Sequence, residues 1–246
     1  MNLAIDIGNT AVKWATFEGG ALVEAHSTPL ATLGSPSPNL GEELKGLSIG
    51  QALVCASGDL TRVQPWLDSF TFHFSLFTSA TPLPIHLDYK TPATLGADRV
   101  ADACGAWALH RGEDCLVIDA GTCITVDFLD HEGTYHGGAI MPGLKMNLQA
   151  LHTFTAKLPL IEIEPGRKAP VLGRSTEESI VAGTLGATLL ALAGYVALYR
   201  QKSPALRVLL TGGDAPLLAQ GASAGWEQVP MLSLIGLNEI MRNNEK

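Results

Sequence analysis

Short apolar runs separated by turn residues occupy the start of the chain. One run ends at Gly8-Asn9-Thr10 and the next ends at Gly19-Gly20. This pattern predicts a β-hairpin over residues 2–18, continued by a third strand at 21–27. A short helix at 42–46, an apolar strand at 52–56 and a helix at 61–70 follow, and this alternation favours a mixed α/β fold.

From Gly96 onward the spacing of apolar residues changes to that of a helix. Four residues at i, i+3, i+4 and i+7 share one predicted face: Val100, Ala103, Cys104 and Trp107. The predicted helix continues to His110, and Gly112 ends it. Further on, the pattern predicts a buried strand at 115–118, a helix at 144–156 and a strand at 207–210.

The chain repeats its own beginning. Residues 4–9, Ala-Ile-Asp-Ile-Gly-Asn, align with residues 117–122, Val-Ile-Asp-Ala-Gly-Thr, 113 residues later. A strand that ends in Asp-x-Gly plus a polar residue, followed by a second strand, therefore occurs twice. Two similar lobes are the simplest explanation. We expect residues 1–112 to form an N-terminal lobe and residues 113–246 a C-terminal lobe.

One stretch, residues 180–198, runs nineteen residues without a charge, which is long enough to cross a membrane. Three glycines and two threonines lower its hydrophobicity, and Glu177 and Glu178 precede it. We therefore expect a helix buried in the core or in a subunit interface, and we expect no membrane association.

Composition and charge exclude several classes of protein. With 46% hydrophobic and 16% charged residues, the chain is typical of a globular protein. Its formal charge of -8, with no basic stripe, argues against a nucleic-acid partner. Any bound phosphate must be held by main-chain N–H groups, a helix N-terminus or a metal. The four cysteines lack metal-ligand spacing and no signal segment is present, so we expect a reduced, cytoplasmic protein.

The first predicted hairpin carries candidate phosphate-binding groups. Gly8 lets the turn bring main-chain N–H groups against an oxyanion, and Asn9, Thr10 and Lys13 add donors. Asp6, at the strand end, can hold a phosphate-bound Mg²⁺ through water. A single turn of this kind is also typical of an ordinary hairpin. The second copy favours two hairpins that hold the phosphates of a nucleotide from both sides.

The predicted helix after Gly96 opens with Ala97-Asp98-Arg99. An aspartate in the first turn stabilises a helix through its dipole, but Asp102 four residues later adds repulsion between like charges. Arg99 is able to bind a carboxylate with two hydrogen bonds. A base beside an anion-binding group suits a hydroxyl-bearing acid as substrate. Asp98 could then accept the hydroxyl proton during phosphoryl transfer.

Five motifs, in this order along nearly the whole chain, resemble those of type III pantothenate kinases. They are Asp6-Ile-Gly-Asn-Thr with Lys13, Tyr89-x-x-Pro92 leading to Gly96-Ala-Asp-Arg99, Ile118-Asp-Ala-Gly-Thr122 with Asp127, Gly137-Gly-Ala-Ile-Met-Pro-Gly143, and Gly173-Arg-Ser-Thr176. The resemblance implies two ribonuclease-H-like lobes with mixed sheets flanked by helices, the duplicated α/β fold of the actin and sugar-kinase superfamily, in a cytoplasmic homodimer. It also implies the first step of coenzyme A biosynthesis: ATP and pantothenate give 4′-phosphopantothenate, with Mg²⁺ and a monovalent cation, K⁺ or NH₄⁺.

The same resemblance implies roles for individual residues. The first phosphate loop would comprise Asp6, Ile7, Gly8, Asn9, Thr10, Ala11, Val12 and Lys13. Thr122 would be a second ATP contact, Asp119 the ligand of the monovalent cation and Asp98 the base. The pantothenate site would be formed by Tyr89, Gly96, Ala97, Asp98, Arg99 and Thr176, the last reached from the other subunit. Cys123 stands where the family usually has alanine.

Two other functions stay open at this point. A different small-molecule kinase or a polyphosphate hydrolase of the same superfamily would share these loops. A regulatory protein would keep the fold and lose the chemistry, and loss of an acidic residue would be its signature. The charged residues on which the chemistry depends are all present, which favours an enzyme: Asp6, Asp98, Arg99 and Asp119.

Overall fold

A computed structural model describes residues 1–30, 44, 48–58, 61, 63–68, 70, 72–221 and 225–245. The strands are β1 (Asn2–Ile7), β2 (Ala11–Glu18), β3 (Ala21–Pro29), β4 (Gln51–Ala56), β5 (Ser75–Leu76), β6 (His86–Leu87), β7 (Cys115–Ala120), β8 (Cys123–Leu129), β9 (Thr134–Pro142), β10 (Arg207–Thr211) and β11 (Trp226–Gln228). The helices are α1 (Gln64–Leu67), α2 (Ala97–Leu109), α3 (Leu144–Thr153), α4 (Thr176–Val181), α5 (Ala187–Lys202), α6 (Ala215–Ala219) and α7 (Leu232–Asn244), with a 3₁₀ turn at Pro92–Thr94 and a π-helical segment at Ala182–Gly186.

Most predicted elements are found with modest shifts at their ends, but of the helix expected at 61–70 the described residues show only Gln64–Leu67 as α-helix. The helix expected at 144–156 ends three residues earlier, at Thr153. The Thr155 hydroxyl donates to the Leu151 carbonyl at 2.7 Å and also accepts the Leu158 N–H at 3.3 Å, and these side-chain bonds compete with further helical turns. The helix predicted at 42–46 lies, apart from Leu44, outside the described residues.

The chain divides into two compact units. The first comprises residues 1–111, 133–135 and 231–246, and the second comprises residues 112–132 and 136–230. The first division lies close to the boundary expected at residues 112 and 113. The difference concerns α7, which we expected in the C-terminal lobe and which belongs to the first unit. Nine of its residues are buried there, so its packing and not its place in the sequence decides its unit.

The first unit contains a five-stranded sheet in the order β3-β2-β1-β4-β5. β1 pairs antiparallel with β2 and parallel with β4, and all of its residues are buried. Helices α2 and α7 pack so closely that their backbones touch. A Cβ atom added at Gly236 would lie 1.7 Å from the Ala101 carbonyl oxygen, and one added at Gly105 would lie 2.5 Å from that of Leu232. Glycine is therefore required at both positions.

The sheet of the second unit repeats the strand order of the first. β9, β8, β7, β10 and β11 are neighbours in that order. As in the first unit, the central strand β7 pairs antiparallel with the strand that follows it and parallel with the next one, β10. The start of β9, Thr134 and Tyr135, pairs with β6 and belongs to the first unit. The internal repeat of the sequence is thus a repeat of topology.

The uncharged stretch forms a continuous helix from α4 through the π-helical segment to α5. One face lies in the core of the second unit: Val181, Leu185, Leu192 and Val196. The opposite face is exposed, and it consists of small or apolar residues: Gly183, Ala187, Leu190, Ala191, Gly194, Ala197 and Leu198. Among the described residues this helix, Thr176–Lys202, is the one that meets the length and hydropathy of a membrane span, with a mean hydropathy of 1.8 and 39% of that window buried.

Candidate active site

Asp6, the second-last residue of the central strand of the first unit, carries a buried carboxylate. The side chain is 7% exposed, and its Oδ2 accepts a hydrogen bond from the Ser233 hydroxyl at 2.9 Å. Its Oδ1 is buried and has no hydrogen-bond partner among the described residues. Burial raises the pKa of Asp6 above its usual value, while the Lys13 ammonium and the Ser233 hydrogen bond oppose the shift. Leaving a buried carboxylate oxygen without a donor costs about 1–3 kcal/mol or more.

The turn after Asp6 is fixed at its base and polar at its tip. The Gly8 N–H donates to the Ala11 carbonyl at 3.0 Å, and the Gly58 N–H donates to the Ile7 carbonyl at 3.1 Å. Asn9 and Thr10 are exposed at the tip. Ile7 and Val12 are buried in the core, so only their main-chain atoms are available to a ligand. The turn is thus closed by main-chain hydrogen bonds and leaves the side chains of Asn9 and Thr10 exposed, where a phosphate can reach them.

Asp98 lies in the first turn of α2, after Gly96 and Ala97. The Arg99 main-chain N–H donates to Asp98 Oδ1 at 2.9 Å, which fixes the carboxylate at the positive end of the helix. A Cβ atom at Gly96 would lie 2.6 Å from that same oxygen, so glycine is needed to leave room for it. The charge of Asp98 contributes to the raised pKa of Asp6, which indicates that the two carboxylates share one environment.

Arg99 is a buried cation held beside two aromatic rings. It is 6% exposed, and its guanidinium carbon lies 5.9 Å from the ring centre of Tyr89 and 6.0 Å from that of Tyr135. Tyr135 is fully buried, and its carbonyl accepts the Asp88 N–H at 2.9 Å, which ties the two tyrosine-bearing segments together. Cation–π contacts of this kind hold a guanidinium in place. An anchored Arg99 is suited to binding a carboxylate.

The second hairpin carries Asp119 and Thr122. The Gly121 N–H donates to the Cys123 carbonyl at 2.9 Å, and Thr122 is exposed at the tip. Across the ladder, Asp119 faces Thr125, whose hydroxyl is buried with no hydrogen-bond partner among the described residues. A Cβ atom at Gly212 would lie 2.4 Å from Asp119 Oδ1, so this glycine, with φ +95°, lets the next loop approach the carboxylate.

That next loop also brings Asp214 to the second hairpin. The Asp214 N–H donates to the Ala120 carbonyl at 2.9 Å. Burial raises the pKa of the Asp214 carboxyl, and the nearby Lys145 ammonium opposes the shift. Among the described residues, no group of three or more His, Cys, Asp or Glu side chains is arranged to hold a metal by itself.

Thr176 is the first residue of α4. The cap of this helix uses the preceding Ser175, whose hydroxyl accepts the Glu178 N–H at 3.1 Å, while Glu178 accepts the Arg174 N–H at 2.6 Å. The Thr176 side chain is exposed.

The structure brings the predicted residues of the first unit together, and it adds two that sequence reasoning missed. Ser233 contacts Asp6 from the last helix, 227 residues away along the chain. Tyr135 stands beside Arg99 and Tyr89. Neither residue belongs to a recognisable motif. The one sequence feature that could have pointed to Tyr135 is its position two residues after Gly133, which belongs to the internal repeat.

Comparison with protein families finds one that covers most of the chain. The model of type III pantothenate kinases matches residues 2–198. A type III pantothenate kinase of Phocaeicola vulgatus is 38% identical over 252 aligned residues and covers 100% of both chains. One from Bacteroides fragilis is 41% identical and covers 99% of this chain and 98% of its own.

Solved structures with the same fold come from several kinds of protein. A putative Baf family transcriptional activator from Campylobacter jejuni superposes with a TM-score of 0.64 at 18% identity, covering 99% of this chain and 98% of its own. The activator of 2-hydroxyisocaproyl-CoA dehydratase from Clostridium difficile, solved with bound ADPNP, gives 0.53 at 16% identity, covering 99% and 96%. A glucokinase from an Antarctic psychrotroph gives 0.52 at 15% identity, covering 98% of each chain. These likenesses confirm the expected actin and sugar-kinase fold.

Proposed function

The chain belongs to the family of type III pantothenate kinases, and we propose how its residues carry out the reaction. The enzyme is a phosphotransferase that phosphorylates pantothenate for coenzyme A synthesis, with ATP and a metal. Full-length similarity to enzymes of this name is the observation that carries the assignment. The product would be 4′-phosphopantothenate.

Asp98 is the proton acceptor. As the hydroxyl oxygen of pantothenate bonds to the γ-phosphorus, the bond from that phosphorus to the bridging oxygen of ADP breaks and the hydroxyl proton passes to the Asp98 carboxylate. Two observations support this role: Asp98 Oδ1 is fixed by the Arg99 N–H, and Gly96 leaves space at that oxygen. A positioned base typically contributes about 10²–10⁴-fold to the rate.

Pantothenate is bound by its carboxylate. The Arg99 guanidinium, held beside Tyr89, forms the ion pair, and burial strengthens it because water is largely absent. The main chain at Gly96 and Ala97 lines the same site. Thr176 of the partner subunit completes it.

The phosphates of ATP are held by the turn from Asp6 to Lys13 in the first unit. Asp6 binds a water of the phosphate-bound Mg²⁺, and its buried Oδ1, which has no donor among the described residues, fits that role. When bound, the metal neutralises charge on the phosphate oxygens. Lys13, opposite Asp6 on β2, opposes the rise in the Asp6 pKa that burial causes, and it adds a positive charge near the phosphates.

Asp119 holds a monovalent cation, K⁺ or NH₄⁺. The oxygen atoms of this hairpin fit such an ion, which prefers oxygen ligands. Asp119 stands opposite Thr125, whose buried hydroxyl lacks a hydrogen-bond partner among the described residues. A cation at this carboxylate neutralises its negative charge.

The enzyme is a cytoplasmic homodimer with no membrane or nucleic-acid partner. The exposed apolar face of α5, with Leu190 77% and Leu198 59% exposed, is the support for a subunit interface. Small residues such as Gly183 and Ala187 allow a second helix to approach closely.

The test is an assay with purified protein, ATP, Mg²⁺, K⁺ and pantothenate, read by the mass of the product. Other hydroxyl acids and sugars, and inorganic polyphosphate, serve as competing substrates. A folded protein that phosphorylates another acceptor faster than pantothenate would favour a different kinase of the same fold. One that converts no substrate would favour the regulatory function.

A further inference from the structure

Ser233 contacts the candidate ATP site from an element that no motif includes. It is the second residue of α7, and its hydroxyl donates to Asp6 Oδ2 at 2.9 Å, with both side chains buried. The two oxygens of Asp6 are therefore unlike: Oδ2 is occupied by the chain itself, and Oδ1 has no partner among the described residues.

The start of α7 is held in an unusual way. Met231, the residue before the helix, adopts φ 61° and ψ 32°, and it is the one non-glycine residue with positive φ in the described part of the chain. Such a backbone is unfavourable for a residue with a side chain and persists only where its surroundings impose it. No side chain caps α7, and Ser233, which could have bonded locally, bonds Asp6 instead.

Close helix packing explains why the first turn of α7 cannot shift. Gly105 of α2 lies against the Leu232 backbone, and Gly236 of α7 lies against the Ala101 backbone. The same α2 carries Asp98 and Arg99 in its first turn. The first turn of α7 is thereby fixed to the helix that carries the proposed base as well as to Asp6.

We propose that Ser233 is a positioning residue that fixes the Asp6 carboxylate so that Oδ1, and not Oδ2, is presented to the hydrated Mg²⁺ of bound ATP. The inference rests on the proposed role of Asp6. Without the Ser233 hydroxyl, the Asp6 carboxylate loses its one side-chain hydrogen-bond donor among the described residues and is free to rotate, so the orientation that receives the metal-bound water is less populated. Ser233 itself touches neither substrate.

The experiment compares Ser233→Ala and the size-matched Ser233→Cys with Asp6→Asn and the parent. Binding of ADP and of a non-hydrolysable ATP analogue is measured by calorimetry over a series of Mg²⁺ concentrations, and kcat and the KM for pantothenate are measured separately. Ser233→Ala should bind Mg²⁺-nucleotide about tenfold more weakly, with Ser233→Cys in between because a thiol is a weak donor. The KM for pantothenate should stay within about twofold of the parent value, since the change lies outside that site.

Asn238→Ala is the matched control. Asn238 is a buried polar residue of the same helix that bonds Asn2 and the Gly19 carbonyl, away from Asp6. The Asn238→Ala substitution should lower the unfolding temperature and leave the affinity for Mg²⁺-nucleotide unchanged. Equal loss of affinity in Asn238→Ala and Ser233→Ala would overturn the inference, because general loosening of α7 would explain both. If Ser233→Ala binds Mg²⁺-nucleotide as tightly as the parent while Asp6→Asn binds it weakly, the role of Ser233 is wrong and the proposed role of Asp6 stands. If Asp6→Asn also binds as tightly as the parent, both the role of Asp6 and the role of Ser233 are wrong.

Discussion

The two hairpins of the repeat have the same strand pairing but differ in turn length and in charge. In the first unit, four residues, 8–11, lie between the last paired residues of the two strands, and Lys13 stands opposite Asp6. In the second unit three residues, 121–123, join them, and Thr125 stands opposite Asp119. The shorter turn moves the ladder by one position, so the site equivalent to Lys13 no longer faces the aspartate.

This difference separates two tasks that the same scaffold performs. Asp6 has a lysine of its own chain to balance its charge, and its remaining need is a donor at Oδ1. Asp119 stands opposite Thr125, and we propose that it binds a monovalent cation. Under these proposed roles, one residue of turn length separates an aspartate that faces a lysine from one that faces a threonine.

The largest effect is expected from Asp98→Asn in the first unit, because the proposed base takes part in the chemical step itself. Turnover should fall by about 10²-fold or more, since an amide cannot accept the proton. Nucleotide affinity, measured by calorimetry, should stay near the parent value. Turnover within a few-fold of the parent would assign the proton to another acceptor.

A pair of glycine substitutions tests whether the two units are equally intolerant of added volume. A Cβ atom would lie 1.7 Å from a carbonyl oxygen at Gly236 in the first unit and at Gly138 in the second. Gly236→Ala and Gly138→Ala should each lower the free energy of unfolding by about 1–3 kcal/mol or more, because backbone must move. Thermal and denaturant unfolding measure the change.

The control for both is Gly183→Ala, where an added Cβ meets nothing within 4 Å and a helix former replaces glycine. It should be neutral or stabilising by up to about 1 kcal/mol in the isolated subunit. If Gly236→Ala and Gly138→Ala behave like this control, the close approaches are not as tight as described.

Local pattern was sufficient for the hairpins and for α2, because alternation, turn glycines and helical spacing lie within a few residues of one another. It was insufficient where one residue serves another that is distant in sequence. Ser233 is 227 residues from Asp6, and no local feature of α7 shows which unit it covers. Gly105 and Gly236 explain the placement of α7, but each looks like an ordinary glycine in a helix until the two helices are seen in contact.

The cation assigned to the second hairpin gives a smaller, selective effect. Asp119→Asn should remove the advantage of K⁺ or NH₄⁺ over Na⁺, which we expect to be about tenfold in rate for the parent, worth about 1.4 kcal/mol. Lys13→Met, in the first hairpin, should weaken nucleotide binding and leave the cation preference in place. Initial rates in K⁺, NH₄⁺ and Na⁺ buffers decide between these outcomes, and equal parent rates in all three would remove the reason for a specific site.

The smallest effect concerns the residues just before each central strand, Met1 and Asp114, which occupy matching places in the repeat. The Met1 carbonyl accepts the Gly50 N–H and the Asp114 carbonyl accepts the Arg207 N–H, each at 2.9 Å. Only the second unit adds a carboxylate at this place. Burial alone would raise the pKa of the Asp114 carboxyl, but hydrogen bonds from Ser203 and from the side chain and main chain of His131 outweigh it and hold the pKa below its usual value.

A lowered pKa means that Asp114 stabilises the fold above the pKa it has in the unfolded chain, and that this contribution is lost as the pH falls through the lower, folded value. Asp114→Asn should therefore be slightly less stable than the parent near pH 7. The difference should vanish in acid, where the Asp114 carboxyl of the parent is protonated in both the folded and the unfolded chain. The effect is small because solvent screens the charge on the exposed His131 side chain. Unfolding free energies from pH 7 downward measure it, with His131→Asn as the partner control. A deficit in Asp114→Asn that stays constant down to the lowest pH would show that the lost stability is packing, and that the charge in the second unit does not distinguish it from the first.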